Sequence, residues 1–169
     1  MSIYSLNAFE LQMLVLAAER RNCGKQVNGV VNRKFDTKYS DFSINLHGLM
    51  GEYAVSKMLG VKIDTSVSLS GDDKISDLTL NGKTVQVKTR MGVFTNSYLF
   101  FRNIELFKAD VAVLASICNA TEVNILGWIT REKFRQAARI VNLAGHDVVA
   151  VDSSKLDKPE YLKTYLETL

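Results

Sequence analysis

Apolar residues recur along this chain with two different periods, and the change of period marks the elements. Residues 7–21 follow the spacing of an amphipathic helix, opened by an Asn7/Glu10 capping box in which each side chain serves the other residue's backbone N–H. Residues 43–59 repeat that spacing and close on Gly60, the residue type that most readily turns left-handed past a helix end. Between Leu78 and Val87 the period drops to two, so Leu78, Leu80, Val85 and Val87 share one face. Asn81-Gly82 divides this stretch. It is the strongest short hairpin signal, because both central residues of a type I′ turn need positive φ. A two-residue loop fixes the register: Leu80 faces Lys83, Thr79 faces Thr84, Leu78 faces Val85, and Asp77 falls opposite Gln86.

The rest of the chain continues the alternation of helix and strand. Residues 98–101 and 110–117 are apolar enough for strands, the second nearly continuous as in a buried central strand, with a short helical turn over 104–108 between them. Residues 122–129 predict another strand, Thr130 caps a helix over 131–140, and 148–151 form a last short strand. Asp157 with Glu160 reads as a second capping box, with Pro159 early in a helix over 159–166. Trp128 reads as a strand-end anchor whose ring is buried and whose indole N–H finds a partner. The expectation is an α/β fold, helices flanking a mixed central β-sheet, in a single domain over 1–169.

Composition bounds function loosely. With 169 residues and 47% hydrophobic content the chain can bury a sizeable core. It shows no signal peptide, transmembrane run or repeat, which predicts a soluble, cytoplasmic protein. Cys23 and Cys118 lack a partner pattern and read as free thiols without a role. A net charge of +3 is modest for holding a nucleic acid by charge alone. The positive residues are concentrated, however: Arg20, Arg21, Lys25, Arg33, Lys34 and Lys38 gather between the first two helices, among asparagines and glycines. That segment reads either as a solvated surface loop or as a phosphate-contacting one.

The hairpin carries the candidate chemistry. Asp77, Gln86 and Lys88 point away from the apolar face, and directly opposed residues have Cβ atoms about 4.5–5.5 Å apart. One divalent ion fits between Asp77 and Gln86, with Lys88 reaching its water; the polar outer face of an ordinary hairpin fits the same alternation. Glu52 lies in the apolar stripe of its helix, with Leu49, Val55 and Leu59 around it. A carboxylate there calls for a cation, a metal ion or Lys88, unless it reaches the solvent at the stripe's edge. Asp72 and Asp73 are rival carboxylates in a Gly-Asp-Asp turn. Arg90 follows on the Lys88 face, where it can hold a phosphate, and His47 stands on the Glu52 helix as a surface residue or a phosphate contact.

Gly51-Glu52-Tyr53-Ala54-Val55-Ser56-Lys57-Met58-Leu59-Gly60, then Asp77, then Gln86-Val87-Lys88, resembles the motif order of the PD-(D/E)XK nuclease superfamily, which includes restriction enzymes, Holliday junction resolvases and phage exonucleases. The match runs from Leu46 to Ile117, with a motif core of about 44–118. The resemblance implies a restriction endonuclease-like three-layer fold and Mg2+- or Mn2+-dependent hydrolysis of DNA. It also implies the site: Asp77, the Gln86 side-chain oxygen, the Val87 carbonyl and Glu52 around the metal, with Lys88 orienting the attacking water. Arg33, Lys34, Arg90 and His47 would contact the nucleic acid. Members of this size often act as homodimers, and the absence of a sequence-reading module suits an endonuclease on branched or structured DNA. Gln86 departs from the common Glu or Asp; an amide oxygen can ligate but brings no charge. The alternative is therefore a nuclease scaffold retained as a nucleic-acid-binding or assembly module, or a small interaction domain in which the hairpin pattern is coincidental.

Overall fold

A computed structural model describes residues 2–27, 39–63, 76–92 and 97–168. The elements follow in the order β1 (Ser2–Ser5), α1 (Ala8–Val27), α2 (Asp41–Leu59), β2 (Leu78–Leu80), β3 (Lys83–Met91), β4 (Tyr98–Phe101), β5 (Val111–Ile117), β6 (Glu122–Thr130), α3 (Arg131–Ala137), β7 (Arg139–Leu143), β8 (His146–Asp152) and α4 (Leu162–Glu167). Local signals set most boundaries. The Asn7/Glu10 box forms in both directions, Asn7 N–H to Glu10 Oε2 at 2.8 Å and Glu10 N–H to Asn7 Oδ1 at 2.9 Å. Ser40 caps α2, and Gly60 ends it at φ 75° with its N–H on the Ser56 carbonyl. Thr130 caps α3 by accepting the Lys133 N–H.

Five strands form a mixed sheet in the order β1-β6-β5-β3-β2, in which β3 and β5 run parallel and the other pairs antiparallel. Helices α1, α2 and α4 cover one face, where Leu14, Leu49, Val55, Leu59, Leu162 and Leu166 pack against Leu78, Val85, Val87, Val113 and Ile125. The opposite face meets a second, antiparallel sheet in the order β4-β8-β7. There Ala112, Leu114 and Ile129 pack on Leu99, Phe101, Phe107, Phe134 and Val151. Phe101 stacks on Phe107 with ring centroids 4.8 Å apart, and Phe134 meets both edge-on. The fold is thus mixed α/β, but one of its outer layers is a small sheet with α3 where helices alone were expected. Leu99, Phe101 and Val151 recur at the period of two that a strand face requires, which suits that sheet to cover an apolar surface.

Two other expectations are corrected, and one strand was not foreseen. The helix predicted over 131–140 stops at Ala137, because Ile140 and Val141 enter the hairpin β7–β8, closed by Ala144 and Gly145 at φ 52° and 83°. β-Branched residues beside a tight turn favour the ladder once Val148 and Val149 are available as partners. The Asp157/Glu160 box does not form: Asp157 takes the Lys133 ammonium at 2.7 Å, and the following turn at Pro159 has no side-chain cap. Finally, Ser2–Ser5 is an edge strand on β6 that a four-residue pattern did not reveal. Trp128 is the anchor expected, buried and donating its indole N–H to the Lys158 carbonyl at 3.0 Å. Among the described residues no helix is long and apolar enough to cross a membrane.

Candidate functional site

The hairpin adopts the predicted register at Leu80–Lys83, Thr79–Thr84 and Leu78–Val85, with Asn81 and Gly82 at φ 50° and 79°. The ladder then ends one pair short of the expected Asp77–Gln86. Asp77 N–H still reaches the Val85 carbonyl at 2.9 Å, and its carboxylate Oδ2 accepts the Val87 N–H at 2.7 Å. The Asp77 side chain therefore takes the place of the backbone carbonyl that a longer β2 would have offered. Beyond it β3 runs on to Met91, and no described strand pairs with that edge. At the end of β2, Asp77 is thus bound to the middle residue of Gln86-Val87-Lys88.

Gln86 and Lys88 alternate onto the face that carries the second apolar cluster. That face is a covered one, unlike the solvated exterior of a free hairpin. Gln86 Oε1 is buried with no hydrogen-bond partner among the described residues, and Lys88 Nζ stands 4.9 Å from the centroid of the Phe101 ring. Placing the ammonium over the ring face is a favourable cation–π geometry. Arg90 continues the row in register with Ser116 of β5, and burial pulls its pKa down from the ordinary guanidinium value.

Glu52 arrives from the other side of the sheet, on α2. Gly51 lies directly against Thr89 of β3, so the carboxylate-bearing residue is adjacent to the point where helix and strand touch. The cation its apolar setting demands comes from α1: Arg21 Nη1 and Nη2 face Glu52 Oε1 and Oε2, each at 3.3 Å, with the side chains 19% and 12% exposed. The sequence placed Arg21 among the loop positives. Helix α1 instead continues to Val27, which turns Arg21 toward α2. Residues 22–27 carry no apolar periodicity that would have signalled this pairing, and their Cys23 and Val27 are exposed. Nothing in the local pattern pointed to Phe101 beneath Lys88, since that contact joins two sheets.

Asp77 is thus tied to β3 by a hydrogen bond, Gln86 and Lys88 lie on one face of that strand, and Glu52 lies on the helix packed against its other face. His47 lies nearer the start of α2, half-buried, its ring edge-on to Tyr39 with centroids 6.1 Å apart. Burial lowers its pKa and favours the neutral imidazole, which weakens it as a phosphate-binding cation. Arg33, Lys34, Asp72 and Asp73 lie outside the described residues. Among the described residues no three His, Cys, Asp or Glu side chains are grouped to hold a metal ion. A shell on the Gln86 side of β3 would rest on Asp77, Gln86 and the Val87 carbonyl, all oxygen donors of the kind Mg2+ and Mn2+ prefer, and the orphaned Gln86 oxygen fits that need, while Glu52 meets Arg21 on the other side.

No model of a known protein family matches the chain, and no curated protein sequence matches it.

Proposed function

We propose that this chain is a divalent-metal-dependent nuclease with a PD-(D/E)XK-type site on a restriction endonuclease-like fold, hydrolysing DNA phosphodiester bonds as an endonuclease on branched or structured substrates. The observation that carries the reading is Gln86 Oε1, a buried acceptor without a partner among the described residues, in the residue preceding Val87, whose N–H holds the Asp77 carboxylate. Leaving a buried acceptor unmade costs about 1–3 kcal/mol, so its retention points to a ligand that completes it.

A bound Mg2+ or Mn2+ would polarise a phosphate oxygen and lower the pKa of a water. The chain's own residues supply the rest. The Val87 N–H fixes the Asp77 carboxylate against β3. Lys88, seated over Phe101, brings a positive charge to orient the attacking water and meet the charge developing on the phosphate. Glu52, on the helix packed against the other face of β3, is the proposed second carboxylate. Arg90, Arg33, Lys34 and His47 are the proposed phosphate contacts, and a homodimer would set two such sites on two strands.

A second reading has its own support. Gln86 brings no charge, and Arg21 neutralises Glu52, so the site holds less negative charge than a strong metal centre uses. On that reading the chain is a nucleic-acid-binding or assembly module on a nuclease scaffold. The test incubates the purified protein with linear, circular, single-stranded and four-way-junction DNA in Mg2+ or Mn2+, beside Asp77→Ala and Lys88→Ala. Cleavage that needs metal and disappears in both variants supports the nuclease. DNA binding without cleavage, unchanged in the variants, supports the scaffold.

A further inference from the structure

We infer that Phe101 is a positioning residue, whose ring, fixed by Phe107 and Phe134, sets where the Lys88 ammonium stands. The consequence for cleavage rests on the reading of Lys88 proposed above; the placement of the ammonium does not. Lys88 is half-buried on β3, in register with Leu114 of β5, on the face that carries the second apolar cluster. A lysine stem has many rotamers and lies readily along apolar surface, so the cluster by itself does not decide where the charged end goes. A ring within about 6 Å of the ammonium does decide it, because the negative face of the π-system attracts the charge from one direction. Lys88 Nζ lies 4.9 Å from the Phe101 centroid.

The ring is itself held. Phe101 is buried at the end of β4 and pairs with Val149 of β8. Phe107 lies flat against it, with planes 6° apart, and Phe134 of α3 stands edge-on at 5.3 Å. Phe107 and Phe134 are buried too and meet each other edge-on. Turning the Phe101 ring would therefore move two neighbours in a closely packed core. Lys57 and Lys83 also stand over rings, those of Tyr53 and Tyr165, but neither of these rings is buried. A ring face draws an ammonium without neutralising it, and leaves its N–H groups to oxygen atoms. The second sheet, which stands where helices alone were expected, thus supplies the determinant of the Lys88 position.

The test follows the lysine ε-CH2 signals of the full chain by NMR, with Lys88 assigned through Lys88→Arg, and measures Mg2+-dependent DNA cleavage by the same proteins. Phe101→Leu removes the ring. A trifluorinated phenylalanine at position 101 keeps its shape but weakens its negative face, and Val151→Ala disturbs the same cluster without removing the ring. In the wild type the Lys88 signal should be displaced upfield by the ring current. It should lose that displacement in Phe101→Leu, lose part of it with the fluorinated ring, and keep it in Val151→Ala. Phe101→Leu should lower kcat roughly ten-fold with KM little changed, on the scale of one desolvated cation–π contact, and the fluorinated ring should lower it less. Where Phe101→Leu fails to fold, the fluorinated ring carries the test, since it fills nearly the same space. A Lys88 signal that is not displaced in the wild type, or that ignores both changes to the ring, overturns the inference, as does wild-type kcat in folded Phe101→Leu. No cleavage by any of the proteins, with the Lys88 signal behaving as expected, overturns the nuclease reading and leaves the placement of the ammonium standing.

Discussion

Gly51 is the position at which α2 rests on β3, and replacing it with alanine separates two effects of opposite sign. Gly51 and Gly48 both lie inside α2, where alanine is favoured over glycine by up to about 1 kcal/mol. At Gly48 an added Cβ meets nothing within 4 Å, so the helical gain should appear undiluted. At Gly51 the same Cβ would run into Thr89 Oγ1 and lie 3.2 Å from both Thr89 Cβ and Cγ2. Thr89 cannot withdraw easily, because β3 is held in register by Ala115 of β5. Overpacking of this kind costs roughly 1–3 kcal/mol. Gly51→Ala should therefore be less stable than Gly48→Ala by roughly 1–3 kcal/mol, the full overpacking cost. At about 2–4 °C per kcal/mol for a chain of this size, the melting temperatures should differ by about 2–12 °C. Thr89→Ala removes Oγ1 and Cγ2, so Gly51→Ala should cost less in that background. Urea denaturation of the two single variants and the Gly51→Ala/Thr89→Ala double variant measures all of this. If Gly51→Ala stabilises as much as Gly48→Ala, the close helix–strand contact that sets the height of Glu52 over β3 is not there.

Two further outcomes follow from single side chains. Asp77→Ala should lose about 1–3 kcal/mol of stability in the presence of EDTA, because the Val87 N–H loses its acceptor at the end of β2. Asp77→Asn keeps an oxygen there and should lose less, and equal losses in urea would remove the structural role assigned to Asp77. Asp110 accepts the Thr84 N–H at 2.8 Å and the Thr84 hydroxyl at 2.7 Å, and the backbone bond leads in holding its carboxyl below the usual range. A depressed acid stabilises fully above its unfolded-state pKa of about 4, and that contribution is lost as pH falls through the lower folded-state value. The wild-type melting temperature should then fall more steeply than that of Asp110→Asn on acidification from about pH 4, and parallel curves would discount the Thr84 bonds.

The alternation of Leu78, Leu80, Val85 and Val87 around Asn81-Gly82 contained the hairpin, its register and its buried face, because a turn and a strand period are decided within a few residues. The Asn7/Glu10 box, the Gly60 cap and the Thr130 cap were legible for the same reason: each satisfies backbone groups no more than four positions away. The need of Glu52 for a cation could also be deduced, since desolvating a carboxylate is costly wherever the chain places it. Which cation answers that need could not, because Arg21 is 31 positions away and depends on how α1 packs against α2. Asp157 shows the converse: locally it is a good cap, yet it binds Lys133, 24 positions back, once β6 and α3 have been brought beside it.

The sequence alone therefore determined the elements whose backbone partners are near neighbours, together with the residue types able to do chemistry. Tertiary structure decided which layer covers the second face of the sheet, where Ser2–Ser5 and Arg139–Leu143 find partners, and what surrounds Gln86 and Lys88. Strand pairing, the seating of Lys88 over Phe101 and the burial of the Gln86 oxygen each need surfaces from distant parts of the chain, and their energies exist only after those surfaces meet.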